Sequence, residues 1–172
     1  MKNKTLAWLF IRALSIGLIF AQPAAANPPD GYDFVSYDVG MQRAQEENRK
    51  VFLYFGRYGC GFCTRTNVET FSDKKLHDLY SKNYVLVYVD AEGGNRLHLP
   101  NGERITEGEL GARLDVYATP LFLYLEPNGD TVLRAPGFKT VEDFIHFDRY
   151  VQGGHYRNLS INEFLARQEA GE

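Results

Sequence analysis

Near-continuous runs of apolar residues predict the central strands of this chain. The runs KVFLYF at 50–55 and YVLVYV at 84–89 are rich in aromatic and β-branched residues, a composition typical of strands that are buried on both faces. A third apolar run, LFLYL at 121–125, leads into the turn sequence PNGD and a short strand at 131–134. A turn of this composition between two apolar runs predicts a β-hairpin.

Helical patterns separate these strands and follow the last of them. They predict helices at 38–49, from the first cysteine onward, at 73–81, at 107–114, from 141 and from 161. Three of these helices open with a capping-box sequence, in which a Ser or Thr and an acidic residue three positions later bond each other's backbone N–H groups: Thr106 with Glu109, Thr140 with Asp143, and Ser160 with Glu163.

The order of these elements predicts an α/β fold with a central mixed β-sheet. The first two strands are joined through helices and are expected to be parallel, whereas the last two form a hairpin and are expected to be antiparallel. Helices are then expected to cover both faces of the sheet. The two cysteines follow the carboxyl end of the first central strand, where open α/β sheets place their functional sites.

Residues 1–26 have the pattern of an export signal. Basic residues at the start precede an uncharged, mostly apolar stretch at 13–21, and Ala24–Ala26 supplies the small residues of a cleavage site. An uncleaved membrane anchor is the alternative, but Arg12 interrupts a segment that falls short of the ~20 apolar residues that a spanning helix needs. The sequence therefore predicts cleavage after residue 26 and export of the remaining chain.

Net charge and length limit the possible partners and the number of domains of residues 27–172. Loss of Lys2, Lys4 and Arg12 with the signal would change the net charge from −3 to about −6. That balance argues against nucleic acid or an anionic membrane surface as the main partner. Residues 27–172 have a length that suits a single domain with a substantial core.

Both cysteines of the chain lie in the tetrapeptide Cys60-Gly61-Phe62-Cys63. A disulfide across two intervening residues closes too short a loop to stabilise the fold appreciably. A structural zinc site would need four ligands, and the histidines show no i,i+4 ligand spacing that would complete one. Reversible dithiol–disulfide chemistry is the use that fits the spacing, with neither a metal nor a dissociable cofactor.

The position of this motif at the start of a helix predicts a role for each cysteine. Unpaired N–H groups and the helix dipole favour a thiolate there, so Cys60 is expected to have a lowered pKa and to attack the substrate. Cys63, one turn further in, is expected to resolve the mixed disulfide. Tyr58 and Phe62 are interpreted as an apolar surface that faces the substrate, whereas Tyr54 in the preceding strand is interpreted as core.

The dipeptide Thr119-Pro120 ahead of the third apolar run is a candidate docking point for substrate. A cis X-Pro bond can expose the backbone of the preceding residue, which then pairs with an extended polypeptide beside the cysteines. The sequence alone favours a trans bond, because cis bonds are a small minority in folded proteins. The predicted substrate-binding residues are thus Tyr58, Gly59, Phe62, Thr119 and Pro120.

The strand VFLYF, the motif CGFC and the dipeptide TP ahead of another strand together resemble the thioredoxin superfamily over residues 35–168. The chain is most similar to exported thioredoxin-like proteins and to the periplasmic SoxW-type thioredoxins associated with sulfur oxidation, which share an insertion like residues 101–107. The resemblance implies a thioredoxin fold with an insertion before the helix that leads to the proline, and an extra C-terminal helix. It also implies that Pro120 is cis and faces the Cys60 sulfur.

The resemblance further implies a monomer whose dithiol is kept reduced by a membrane electron donor of the CcdA or DsbD type and passes electrons to protein substrates with disulfides. The chain differs from cytoplasmic thioredoxins at two positions that affect the reduction potential. Cytoplasmic thioredoxins carry a buried acid six residues before the first cysteine, where this chain has Tyr54, and Gly61-Phe62 replaces their Gly-Pro dipeptide. These changes leave the reduction potential, and hence the direction of electron flow, open.

The sequence thus predicts a periplasmic thiol–disulfide oxidoreductase that works as a reductase. One alternative is a disulfide-forming oxidant or isomerase, which would have a higher reduction potential. The other is a thioredoxin-fold binding or chaperone module in which the cysteines are idle.

Overall fold

The computed structural model of the protein describes residues 27–171. The predicted export signal at 1–26 lies outside these residues. Within the described range, no helix combines the length and the apolar character that crossing a membrane requires.

Helices and strands alternate along residues 27–171, close to their predicted positions. The helices are α1 (Tyr37–Glu47), α2 (Gly61–Glu69), α3 (Lys74–Asn83), α4 (Glu107–Arg113), α5 (Val141–Gln152) and α6 (Ile161–Ala170), with a short 3-10 helix at His155–Arg157 before α6. The strands are β1 (Val51–Gly56), β2 (Val85–Asp90), β3 (Arg96–His98), β4 (Arg104–Thr106), β5 (Leu121–Leu125) and β6 (Thr131–Pro136). The predicted capping boxes at Thr106, Thr140 and Ser160 are formed, and they fix where α4, α5 and α6 begin.

The main sheet has the strand order β2-β1-β5-β6. Strand β1 runs parallel to β2 and antiparallel to β5, and β5 runs antiparallel to β6. The predicted mixed sheet is therefore confirmed. Strand β1 is paired on both sides, so that Tyr54 lies opposite Tyr88 on β2 and Phe122 on β5. The loop that leaves the carboxyl end of β1, and with it the cysteine motif, starts from a rigid interior strand.

Successive residues of β1 point to opposite faces of the sheet and so contribute to two separate cores. On one face, Phe52 and Tyr54 belong to an aromatic cluster with side chains from α2, α3 and α5. On the other face, Val51, Leu53 and Phe55 join a largely aliphatic cluster that includes side chains of α1 and α4. This arrangement confirms the prediction that helices cover both faces.

The segment between β2 and α4 forms a second, smaller sheet. Within the described residues, β3 and β4 pair as a separate two-stranded antiparallel sheet on either side of a turn at 99–103. Each strand has three residues and one buried side chain, Leu97 or Ile105. Such a short alternation cannot be recognised in the sequence. This hairpin is the form that the expected insertion before α4 takes.

The N-terminal segment (residues 27–36) lies against α2 before it joins the sheet. The side-chain amide of Asn67 on α2 donates a hydrogen bond to the Asn27 carbonyl at 3.0 Å. Further along the segment, Val35 pairs with Val87 of β2 as a parallel bridge. The beginning of the described chain is thus held beside the helix that carries the second cysteine.

Helix α1 approaches β2 closely at Gly40, where an added Cβ would lie 2.1 Å from Val87 Cγ2. We expect Gly40→Ala to destabilise the protein by about 2 kcal/mol, because the helix must move away from the sheet to relieve the clash. Gly94 has no atom within 4 Å of a built Cβ, so Gly94→Ala is the control, with an expected change of less than about 0.5 kcal/mol. Urea unfolding of both variants measures the difference, and equal losses would contradict the close approach.

Candidate active site

A short loop carries the chain from β1 to the cysteines. Strand β1 ends at Gly56, and Gly59 has a φ of 69°, in the left-handed region that favours glycine. This turn places Cys60 at the N-cap position of α2. The prediction that the first cysteine begins a helix is confirmed, whereas contact between Gly59 and substrate stays a prediction.

Cys60 and Cys63 form a disulfide within the first turn of α2. The backbone N–H of Cys63 donates a hydrogen bond to Cys60 Sγ at 3.1 Å. Both residues are buried, Cys63 slightly more deeply (5% exposed) than Cys60 (8%). In the dithiol form, an N–H group directed at the Cys60 sulfur would stabilise its thiolate. The geometry thus suits the predicted role of Cys60 as the attacking cysteine.

Aromatic side chains near the motif divide between core and surface as interpreted from the sequence. Tyr54 is fully buried, whereas Tyr58 and Phe62 are 54% and 61% exposed. Exposed aromatic side chains next to a disulfide provide an apolar surface on which a polypeptide can pack. Binding of substrate by these two residues stays a prediction.

The peptide bond between Thr119 and Pro120 is cis. This agrees with the resemblance and differs from the trans bond that the sequence alone favours. Pro120 is buried, and its carbonyl accepts a hydrogen bond from the Gly137 N–H at 2.8 Å, which joins it to the loop after β6. The Thr119 hydroxyl is buried and has no hydrogen-bond partner within residues 27–171.

Tyr117 is a candidate site residue that the sequence does not indicate. Its side chain is 90% exposed, and its hydroxyl donates a hydrogen bond to the Asp115 carboxylate at 2.8 Å. A cavity of about 310 Å³ lies beside it, bordered also by Arg57, Glu92 and Thr119. A tyrosine in a polar loop looks like ordinary surface in a sequence. Tyr117 precedes Pro120 by three residues in the sequence, but only the fold brings it beside Arg57 in the loop before the cysteines.

The arginines on either side of the motif are paired with carboxylates. Arg57 lies 3.2 Å from Glu92, and Arg65 lies 3.0 Å from Glu69. The Arg65 guanidinium also lies 4.1 Å from the centre of the Phe138 ring, over its face. Neither arginine is therefore an uncompensated cation that would stabilise a cysteine thiolate.

Tyr54 contacts α2 from the core side at Cys63. Its hydroxyl donates a hydrogen bond to Asn67 Oδ1 at 3.1 Å and lies 3.5 Å from the Cys63 carbonyl. Burial, with a smaller contribution from Tyr88, raises the pKa of Tyr54 well above its usual value, so the hydroxyl stays neutral. A neutral hydrogen-bond donor thus occupies the position at which the chain departs from cytoplasmic thioredoxins.

The fold and this site together define a class of protein. A disulfide at the N-terminus of a helix, one strand away from a cis-proline in a mixed sheet, is the arrangement of a thiol–disulfide oxidoreductase. Within residues 27–171, no three His, Cys, Asp or Glu side chains are grouped so as to hold a metal ion. Cys60 and Cys63 are thus placed for reversible thiol–disulfide exchange.

Comparison with known proteins gives the family. Residues 37–152 match the family model of the thioredoxin-like domain, and the chain belongs to this family. A thioredoxin-fold protein from Helicobacter pylori superposes with a TM-score of 0.61 at 22% identity, over 71% of this chain and 80% of that one. A thioredoxin from Thermus thermophilus superposes with a TM-score of 0.57 at 26% identity, over 70% of this chain and 86% of that one.

A curated relative matches a smaller part of the chain. It is an uncharacterized protein of Archaeoglobus fulgidus, 34% identical over 56 residues, which are 33% of this chain and 44% of the relative. The match thus spans less than half of the length of either protein.

Proposed function

We propose that this protein is a periplasmic thiol–disulfide oxidoreductase that works as a reductase of protein disulfides. The observation that carries the direction is the pairing of Arg57 with Glu92 and of Arg65 with Glu69. A free cation beside the attacking cysteine would stabilise its thiolate, and a stabilised reduced form makes the disulfide a stronger oxidant. The Cys60 thiolate depends instead on the N–H groups of α2. This limited stabilisation favours a low, thioredoxin-like potential.

In the reducing direction the reaction begins with the dithiol. The Cys60 thiolate attacks one sulfur of the substrate disulfide and forms a bond with it, and the other substrate sulfur leaves as a thiolate. Cys63 then loses its proton to water and attacks the Cys60 sulfur. The Cys60–Cys63 disulfide forms and the second substrate sulfur leaves. The substrate thiolates take up protons from water, and two electrons have passed from the protein to the substrate.

The substrate chain is proposed to lie across Thr119 and Pro120, with Gly59, Tyr58 and Phe62 on the cysteine side. The exposure of both aromatic side chains supports this position. An extended polypeptide can bond the backbone before the cis-proline while its side chains pack on the aromatic rings.

Removal of exposed aromatic side chains tests this docking surface. We expect Tyr58→Ser and Tyr117→Ser each to raise KM for a disulfide-bonded protein about tenfold, because exposed tyrosines are frequent anchors of protein interfaces. The rate with a small aromatic disulfide such as 5,5′-dithiobis(2-nitrobenzoate) is expected to stay within about twofold, since it offers no chain to anchor. Val39→Ser on α1, also an exposed apolar position, is the control. Equal effects on both substrates would contradict the docking surface.

Export and partners follow from the sequence pattern and the resemblance. We propose that residues 1–26 direct the chain to the periplasm and are removed there, that a membrane donor of the CcdA or DsbD type reduces it, and that it acts as a monomer of the SoxW-like type. Recovery of a chain that begins at Asn27 from the periplasmic fraction would support export. Recovery of the whole chain from the cytoplasm would overturn it.

The reduction potential of the Cys60–Cys63 pair tests the direction of electron flow. Equilibration in dithiothreitol or glutathione buffers is expected to give a value below about −230 mV, nearer to thioredoxin at about −270 mV than to protein disulfide isomerase. A value above about −180 mV would reverse the assignment. The protein would then be a disulfide-forming oxidant or isomerase.

A further inference from the structure

A hydrogen-bond chain connects the core to the helix face that carries Cys63. Tyr54 is fully buried on β1, and its hydroxyl donates to Asn67 Oδ1 at 3.1 Å. The same hydroxyl lies 3.5 Å from the Cys63 carbonyl, a contact at the outer limit of hydrogen bonding. Asn67 lies four residues after Cys63 and therefore on the same face of α2, one turn further on.

The orientation of the Asn67 side chain is fixed by its two partners. Its amide oxygen accepts from Tyr54, and its amide nitrogen donates to the Asn27 carbonyl at 3.0 Å. Only a side chain with both a donor and an acceptor satisfies this pair. Helix α2 is thereby attached at one position both to the core and to the N-terminal segment.

The ring of Tyr54 has little freedom to move its hydroxyl. Ring centres lie 4.8 Å away at Phe122, 5.2 Å away at Tyr88 and 5.8 Å away at Phe71. A close-packed interior of this kind holds a side chain in one rotamer. Burial keeps the Tyr54 hydroxyl neutral, so the contact to α2 is made by a neutral dipole in a fixed place.

We propose that Tyr54 and Asn67 are positioning residues that hold Cys63 for its attack on the mixed disulfide. Cys63 must bring its sulfur into line with the bond between Cys60 and the substrate sulfur, and small misplacements cost large factors in rate. The hydroxyl supports the Cys63 face of α2 in the step in which Cys63 reacts. The first step depends on Cys60 at the helix N-cap, outside this hydrogen-bond chain. This inference rests on the proposed roles of the two cysteines and holds for either direction of electron flow.

The two steps can be separated with a peptide whose cysteine is joined to thionitrobenzoate. Attack of reduced Cys60 on the peptide sulfur releases the coloured thionitrobenzoate anion, because the lower-pKa thiol is the better leaving group. Attack of Cys63 then releases the peptide thiol and forms the protein disulfide. Absorbance follows the first step, and acid quenching with mass spectrometry follows decay of the mixed disulfide.

For Tyr54→Phe and for Asn67→Ala we expect the mixed disulfide to decay about fivefold more slowly, the rate effect of one buried hydrogen bond. Release of thionitrobenzoate is expected to stay within about twofold of the unmodified protein. The double variant is expected to show the same fivefold effect and not its square, because both substitutions break one connection.

Tyr124→Phe is the matched control. Tyr124 is also fully buried in the sheet, and its hydroxyl bonds that of Tyr80 at 2.6 Å, so its loss removes a buried hydrogen bond elsewhere in the fold. Equal slowing in Tyr124→Phe, equal slowing of both steps, or unchanged decay in Tyr54→Phe would overturn the inference. If Tyr54→Phe does not fold, Asn67→Ala decides alone, since Asn67 is only half-buried. If the unmodified protein releases no thionitrobenzoate, the proposed function fails instead.

Discussion

Cys60→Ser is expected to abolish disulfide reduction, with a fall in rate of at least about 10³-fold. A serine hydroxyl does not exchange with a disulfide, whereas the thiolate favoured at the N-cap of α2 does. The measurement is the reduction of insulin disulfides by the purified protein with dithiothreitol as donor. Activity at the unmodified rate would contradict the assignment of Cys60 and would favour a binding module with idle cysteines.

Cys63→Ser is the matched variant for this experiment. It removes a thiol of nearly equal burial from the same turn of α2 but leaves Cys60 in place. It is expected to attack the substrate and then to accumulate as a mixed disulfide, because no thiol is left to resolve it. Mixed disulfide trapped on Cys60 in Cys63→Ser, together with none in Cys60→Ser, assigns the attacking and the resolving cysteine directly.

Phe52→Ala is expected to produce the largest loss of stability, about 4 kcal/mol. Phe52 is fully buried on β1, and its ring packs against Tyr80 at 4.9 Å, Tyr124 at 5.3 Å and Phe122 at 5.8 Å between ring centres. Truncation would leave a cavity at the centre of this aromatic cluster, whose rings cannot all move inward. Urea unfolding followed by far-UV circular dichroism measures the change.

Phe52→Leu is the control for that cavity. It keeps most of the buried volume and loses the ring geometry, and it is expected to cost about 1 to 2 kcal/mol. A loss in Phe52→Ala no larger than in Phe52→Leu would mean that the cluster collapses into the vacated space. The aromatic face of the sheet would then be less rigid than its ring packing suggests.

The fold was largely predictable because its elements carry strong local signals. The apolar runs on β1, β2 and β5 are long and uninterrupted. The capping boxes at Thr106, Thr140 and Ser160 mark where helices start, because each depends on only two side chains three positions apart. The β3–β4 hairpin had no such signal, since Leu97 and Ile105 are its only buried side chains. Its pairing is a product of the surrounding fold.

The sequence predicted the parts of the candidate site whose residues are close together in the chain. The spacing of Cys60 and Cys63 identified the redox pair, and family resemblance identified the isomer of Pro120, which residue types alone do not set. Tyr117 was not recognised because its place beside Arg57 and Glu92 depends on the fold. The contact of Tyr54 with α2 also needs three dimensions, since Asn67 lies thirteen residues away in the chain.

Because Asn27 is hydrogen-bonded to Asn67, a peptide fused ahead of Asn27 would start close to the cysteines. Asn67 follows Cys63 by one helical turn, about 6 Å along the axis of α2. A peptide joined ahead of Asn27 through about twelve Gly and Ser residues has a root-mean-square reach of about 20 Å. Its effective concentration near the cysteines would be in the millimolar range. A disulfide carried on such a peptide would become an intramolecular substrate, so even weakly bound sequences could be ranked by their rate of exchange.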